Sequence, residues 1–166
     1  MDIFEFAMEK EKYSEQFYRE LARRTTYTGF KSILTMLADE EAKHYRTVEK
    51  MKTETPEVVT NTPVLANARK IFENMKGSAG KFSFPANEVD LYRKACDIEE
   101  ESRAFYLEKA EQVEDPGQKR IFQMLAEEEN KHFMIVENIR SFVARPQTYL
   151  DNPEFVHFDD YIEGVF

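Results

Sequence analysis

Several features are scarce in this sequence of 166 residues, and each scarcity narrows the possible functions. The chain has one cysteine, Cys96, which excludes an internal disulfide and a Cys-x-x-Cys metal knuckle. Basic residues are outnumbered, and the net charge of −9 argues against binding to nucleic acid or to an anionic membrane. No apolar run approaches the length that crosses a membrane. We interpret Cys96 as a small core residue rather than a reactive thiol.

The chain also lacks the usual signs of export. Residues 1–4 do not show the basic and then apolar pattern of a signal peptide, so the expected location is the cytoplasm. A chain of this length is expected to form one domain with a sizeable core.

Glycine and proline are few, with 5 and 6 residues, and five of them fall within residues 53–85. We expect a long crossover there, with a short helix near residues 65–75. At ~3.3 Å per extended residue, such a connection can return along a whole helical bundle. The helices on its two sides therefore need not run in opposite directions.

What the sequence does contain is a repeat. Residues 37–44 read Leu-Ala-Asp-Glu-Glu-Ala-Lys-His, and residues 125–132 read Leu-Ala-Glu-Glu-Glu-Asn-Lys-His. Over residues 30–51, 11 of 22 positions are identical to the residue 88 positions later. A repeat of this length predicts a duplicated helical hairpin rather than a solenoid.

Apolar residues recur at alternating steps of three and four in four segments, which predicts four helices with one inward stripe each. These segments are approximately residues 2–25, 29–52, 86–113 and 116–145. Asp2 and Asp115 are the expected N-caps of the first and last helices. Short breaks inside the segments 2–52 and 86–145 favour two antiparallel hairpins.

The predicted bundle occupies residues 1–145 and is followed by a tail, residues 146–166. Its aromatic content is high for a solvated tail, so we expect it to pack on the bundle or on a second subunit. His157 has no repeat partner and is interpreted as a surface or packing residue, not a metal ligand. The tail aromatics that carry this expectation are Tyr149, Phe155, Phe158, Tyr161 and Phe166.

The inward stripes are apolar except at their middle, where six metal-ligand residue types fall at similar heights. Four buried carboxylates would repel one another and lose their hydration, whereas two divalent cations would neutralise them. A glutamate from each of two helices and Glu-x-x-His from each of the other two is the pattern of di-iron carboxylate proteins. We predict two iron ions, although manganese and zinc accept similar ligands. The predicted ligands are Glu11, Glu41, His44, Glu99, Glu129 and His132.

Some neighbouring residues allow two interpretations. Tyr18 and Tyr106 could donate hydrogen bonds to the ligating carboxylates, or could be core tyrosines with hydroxyl groups satisfied elsewhere. Ser14 and Ser102 could leave room for a small exogenous ligand, or could ease helix packing.

Glu40 and Glu128 precede the two Glu-x-x-His glutamates and fit an ordinary acidic face equally well. One residue along a helix points about 100° away, so we expect both to contribute little to the site.

The motif Ala-x-x-x-Glu-x-x-x-x-x-Phe-Tyr, followed by Leu-Ala-x-Glu-Glu-x-x-His, occurs twice. Over residues 4–145 it resembles the rubrerythrin-type branch of the ferritin-like superfamily. The resemblance implies an all-α, up-down-down-up four-helix bundle with a long crossover and a di-iron site. It also implies a homodimer or larger assembly. It carries over the six predicted ligands, with Glu41 and Glu129 as bridges between the metals.

The chain departs from that family's pattern in two informative places. It lacks the Cys-x-x-Cys pairs of a rubredoxin module, so electrons are expected from a separate donor such as a rubredoxin-like protein. Ser102 replaces a glutamate that takes part in a redox-linked ligand change, so we expect a more symmetric centre with permanently bound histidines. A haem like that of bacterioferritin is not expected, because Ala42 stands where such proteins have methionine.

These observations favour a di-iron oxidoreductase that reduces hydrogen peroxide or dioxygen. A ferroxidase, with Fe(II) as its substrate, is the alternative enzyme. A bundle that holds metal without turnover is the alternative from another class.

Overall fold

The computed structural model describes residues 2–57, 62–75 and 82–151. Within these ranges the chain forms six helices and no strand, so it is an all-α helical bundle as predicted. The helices are α1 (Ile3–Arg24), α2 (Thr28–Met51), α3 (Val64–Met75), α4 (Ala86–Gln112), α5 (Pro116–Ala144) and α6 (Pro146–Asp151). None of them is both long enough and apolar enough to cross a membrane.

Two of the long helices begin at the predicted caps. An Asp2 carboxylate oxygen accepts a hydrogen bond from the Glu5 amide at 2.8 Å, and Asp115 accepts one from the Gln118 amide at the same distance. Each cap satisfies a backbone N–H that the first helical turn leaves without a partner. Pro116 occupies the first turn of α5, where a missing N–H costs nothing.

The direction of the four long helices follows from their connections and contacts. Residues 25–27 join α1 to α2, and a similarly short segment joins α4 to α5, so each pair is an antiparallel hairpin. Between the hairpins, Glu11 meets Tyr106 and Tyr18 meets Glu99, so α1 and α4 run in opposite directions. The order is therefore up-down-down-up, with residues 52–85 as the crossover.

Two apolar clusters fill the bundle, one towards each end. The larger cluster includes Phe30, Leu37 and Ile139 and is also covered by α3, while the smaller includes Val48 and Phe122. Cys96 belongs to the larger cluster and is 5% exposed, which confirms its interpretation as a core residue. The polar side chains of the stripes lie between these clusters.

The short helix predicted in the crossover is present as α3, with Val64, Ala68 and Phe72 buried against the bundle. The sequence did not predict α6, which begins immediately after α5 ends. Tyr149 on α6 is buried, and its hydroxyl donates a hydrogen bond to Asn138 Oδ1 at 2.8 Å. The beginning of the tail thus packs on the bundle. Phe155, His157, Phe158, Tyr161 and Phe166 lie outside the described residues.

Candidate metal centre

Each long helix contributes to one buried cluster of polar side chains. α1 and α4 supply one glutamate each, while α2 and α5 supply one Glu-x-x-His each. The spacing of three within Glu-x-x-His places carboxylate and imidazole on the same helical face. None of the six residues is more than 2% exposed: they are Glu11, Glu41, His44, Glu99, Glu129 and His132.

The six side chains form two overlapping sets of four. In the first, Glu11 and His44 meet Glu41 and Glu129, with one ligand atom from each residue within 4.8 Å of all the others. In the second, Glu99 and His132 meet the same two glutamates under the same limit. Glu41 and Glu129 thus belong to both sets, which is the geometry that two metal-bridging carboxylates require.

Both histidines direct Nδ1 towards these carboxylates. His44 Nδ1 lies 2.9 Å from Glu129 and 3.4 Å from Glu41. His132 Nδ1 lies 3.1 Å from Glu41 and 3.8 Å from Glu129. The two rings are stacked, with centroids 5.5 Å apart and planes inclined by 10°. A pseudo-twofold arrangement therefore relates the two sets.

Burial and mutual repulsion govern the charges of the two shared glutamates. Burial, followed by the charges of Glu99 and Glu11, raises the pKa of Glu41 well above 4.5. Burial, followed by the charges of Glu41 and Glu99, raises the pKa of Glu129 in the same way. Burial and neighbouring charge therefore favour the protonated form of the central carboxylates more than water does.

The outer glutamates and the histidines shift in the directions that ion pairing favours. Burial opposes ionisation of Glu11, but the charge of His44 lowers its pKa to about 2. Glu99 also has a lowered pKa despite its burial, through Glu129 and His132. Burial disfavours the charged imidazoles, yet the carboxylates around them raise the pKa of His44 and of His132. Pairing with the histidines therefore offsets part of the repulsion among the carboxylates, as bound cations would do.

The donor set fits two divalent cations. Glu11, Glu41 and Glu99 each have one buried carboxylate oxygen without a hydrogen-bond partner. Across the described ranges, the ion pairs of the four glutamates are made only to His44 and His132, with no lysine or arginine. Four carboxylates balance four positive charges, and oxygen and imidazole ligands suit iron, manganese or zinc.

Two tyrosines connect the hairpins through this cluster. The Tyr18 hydroxyl of α1 donates a hydrogen bond to Glu99 of α4, and the Tyr106 hydroxyl of α4 donates one to Glu11 of α1. Burial, followed by nearby carboxylate charge, raises the pKa of both tyrosines well above 10, so they keep the protons that they donate. Of the two interpretations of these tyrosines, the structure supports the one in which their hydroxyl groups donate hydrogen bonds to the carboxylates.

Glu128 lies against a histidine of the cluster, not on the ordinary acidic face that the sequence also allowed. It is 6% exposed rather than solvated, and its carboxylate contacts His44 Nε2, the ring nitrogen that faces away from the carboxylate cluster. A carboxylate behind a histidine fixes the orientation of the ring and the nitrogen that carries the proton. Glu128 does point about 100° away from Glu129 around the helix, as expected, but a neighbouring helix covers that direction as well.

Glu40, the repeat partner of Glu128, is also buried but makes different contacts. Its carboxylate accepts a hydrogen bond from Thr62 Oγ1 at 2.7 Å and lies 3.5 Å from Lys43 Nζ. One of its oxygens comes within 4.8 Å of a ring nitrogen of both His44 and His132, yet His132 Nε2 has no hydrogen-bond partner among the described residues. The environments behind the two histidines therefore differ.

The two serines are buried beside the cluster, one helical turn after Glu11 and Glu99 respectively. Ser14 Oγ donates a hydrogen bond to the Lys10 carbonyl oxygen at 3.0 Å. Neither serine supplies a carboxylate. The position three residues after Glu11, and the one three residues after Glu99, therefore offers no glutamate that could replace a histidine as a metal ligand.

Comparison with known proteins gives a family assignment. The sequence model of the family described as Rubrerythrin matches residues 2–139, which includes all six predicted ligands and both tyrosines. Comparisons with curated proteins and with solved structures gave no match.

Proposed function

The chain belongs to the rubrerythrin family, and on this premise we propose that it is a di-iron oxidoreductase that reduces hydrogen peroxide or dioxygen with electrons from a separate donor. The observation that supports the proposal most strongly is the pair of four-residue sets that share Glu41 and Glu129. Glu11 and His44 would hold one metal ion, Glu99 and His132 would hold the other, and the shared Glu41 and Glu129 would contribute to both sites.

Two Fe(II) ions would supply the two electrons that, with two protons, convert hydrogen peroxide into two water molecules. The protein provides the surroundings for this chemistry. Its two apolar clusters limit the access of water from both ends of the bundle and so strengthen electrostatic interactions in the centre. Tyr18 and Tyr106 hold the outer glutamates in place from the opposite hairpin and retain their own protons.

Iron oxidation is the second candidate function, and Ser102 favours it. A serine at this position supplies no carboxylate for a redox-linked exchange with a histidine. The centre would then stay the same in both oxidation states, and Fe(II) itself could be the electron source. A separate donor, such as a rubredoxin-like protein, would not be needed in that case.

The two functions are separated by single-turnover oxidation of the fully reduced, iron-loaded protein, followed by absorbance. The oxidoreductase proposal predicts faster oxidation by hydrogen peroxide than by dioxygen. Zinc-loaded protein is the control and should consume no peroxide, because zinc is not redox-active. Faster reaction with dioxygen, together with repeated consumption of added Fe(II) without a donor, would replace the proposal by ferroxidase activity.

A further inference from the structure

A cleft opens on the surface between α1 and α4, directly above the two buried serines. Its volume is about 210 Å³, and Ser14 and Ser102 form part of its lining. Each serine follows a predicted metal ligand by three residues, so it lies next to that ligand on the same helical face. The cleft therefore ends one helical turn from Glu11 and Glu99 on the two helices.

The cleft follows from how the helices pair. α1 packs chiefly on α2, and α4 packs chiefly on α5, so the seam between α1 and α4 is less closely packed. Two small, buried serine side chains lie at the middle of that seam. In other directions the centre is covered by larger groups, including the two tyrosines and the apolar clusters. The α1–α4 seam is therefore one of the less closely packed parts of the bundle around the centre.

The mouth of the cleft contains two aromatic residues that protrude from the surface. Phe6 is 47% exposed and Tyr13 is 49% exposed. Lys10 places its ammonium group 5.7 Å from the Phe6 ring, and Lys94 places its own 5.9 Å from the Tyr13 ring. These cation–π contacts stabilise the ring positions. The aromatic rings therefore restrict the width of the opening.

The charges at the cleft favour neither sign of ion. Glu9 and Glu101 contribute two carboxylates, while Lys10 and Lys94 bring two ammonium groups to its lining and its mouth. The volume of 210 Å³ is also smaller than the ~300–1,000 Å³ of pockets that hold drug-sized ligands. These properties suit a small, neutral molecule that can form hydrogen bonds with serine hydroxyls.

We propose that the α1–α4 cleft is the access route by which hydrogen peroxide or dioxygen reaches the centre. Ser14 and Ser102 form its inner end, while Phe6 and Tyr13 restrict passage to molecules of this size and exclude bulky organic hydroperoxides. The proposal rests on the proposed function for the identity of the substrate. The route itself can be tested without any turnover.

The first test narrows the inner end with Ser14→Leu and Ser102→Leu. Nitric oxide, a small neutral probe, is mixed with the fully reduced, iron-loaded protein, and its association is followed by absorbance. We expect each variant with unchanged iron content to slow association by about tenfold, equivalent to ~1.4 kcal/mol in the barrier. Unchanged association rates would overturn the proposal. Slower Fe(II) loading with an unchanged nitric oxide association rate would also overturn it, because the cleft would then admit metal ions rather than the substrate.

The second test widens the mouth with Tyr13→Ala and does not depend on the stability of the serine variants. The rate of oxidation by cumene hydroperoxide, relative to hydrogen peroxide, should rise by about tenfold. Leu107→Ala is the matched control, because Leu107 is similarly exposed at 44% but does not line the cleft. An equal ratio in wild type, Tyr13→Ala and Leu107→Ala would overturn the size restriction. If no peroxide oxidises the wild type, the proposed function fails, while the nitric oxide rates still decide the route.

Discussion

The two halves of the centre share their inner side chains but differ in what lies behind the histidines. In the α1–α2 half, His44 has the carboxylate of Glu128 against its outward-facing Nε2. In the α4–α5 half, His132 Nε2 has no hydrogen-bond partner among the described residues, although Glu40 is nearby. The carboxylate of Glu40 instead contacts Thr62 and Lys43.

A duplicated hairpin repeats its own side chains but not the contacts that the rest of the chain makes around them. Each hairpin brings its own glutamates, histidine and tyrosine, so the inner ligands repeat with the sequence. Thr62 belongs to the crossover, which connects the hairpins once and has no second copy. The inner centre is therefore pseudo-symmetric, whereas its surroundings are not.

The largest effect is expected from the two shared glutamates. Glu41→Ala and Glu129→Ala should each lose most of the bound metal, because each removes a carboxylate that belongs to both four-residue sets. The measurement is the metal content of the purified variants. Glu127→Ala, an exposed residue on α5, is the matched control and should keep its metal. Strong loss of metal in only one of the two variants would show that the inner centre is not symmetric.

A second effect concerns the stability of the metal-free protein. The raised pKa values of Glu41 and Glu129 mean that the folded state retains protons that the unfolded state releases above pH 4.5. The raised pKa values of His44 and His132 act in the same direction above pH 6.5. The contribution of these groups to the free energy of unfolding is therefore fully present below their unfolded pKa values. It is lost as the pH rises towards their folded pKa values.

The melting temperature of the metal-free protein should thus fall as the pH rises above about 4.5. The lowered pKa values of Glu11 and Glu99 have the opposite effect, but only below pH 4.5. Metal-loaded protein should show a weaker dependence, since cations replace the protons. Thermal unfolding of both forms at several pH values tests this. A melting temperature that rises with pH in the metal-free form would contradict the charge assignments.

The third prediction tests the difference between the halves directly. Glu128→Ala removes the carboxylate that contacts His44 Nε2 and should lower metal affinity by ~10–100-fold at one of the two sites. Glu40→Ala should have a smaller effect, because the Glu40 carboxylate is held by Thr62 and Lys43. Competition with a chelator gives the affinities. Equal losses in the two variants would mean that the halves are equivalent when metal is bound.

The smallest effect is expected from Thr62→Val, which removes the hydroxyl while nearly keeping the shape of the side chain. Glu40 would then be free of one of its two partners and could approach His132 Nε2. We expect the affinities of the two sites to become more alike, without loss of metal. No change in their ratio would show that Thr62 does not maintain the asymmetry.

Much of the fold and the residues of the candidate centre could be predicted from the sequence. The four long helices, the caps at Asp2 and Asp115, and the crossover helix are confirmed by the structure. Helical periodicity identifies the buried stripe, and a polar residue within that stripe needs a partner wherever the bundle forms. That is why the inward positions of the glutamates and histidines could be predicted before the fold was known.

The surroundings of the centre could not be predicted in the same way. The burial of Glu40 and Glu128 depends on the helices that pack beside them, and periodicity within one helix does not contain that information. The repeat offered one signal, since both positions hold glutamate in the two copies. The contact of Thr62 with Glu40 had no signal, because a long crossover can follow many paths. For the same reason, α6 after Pro146 was not predicted.

The presence of two metal ions in the two overlapping sets of ligands underlies the proposed function. It is tested most directly by anaerobic titration of the metal-free protein with Fe(II), with bound iron and melting temperature measured at each step. We predict that the melting temperature rises markedly, that binding saturates at two iron ions per chain, and that a chelator reverses both changes. Saturation at one ion, or a melting temperature that does not change with bound iron, would contradict the two-metal centre.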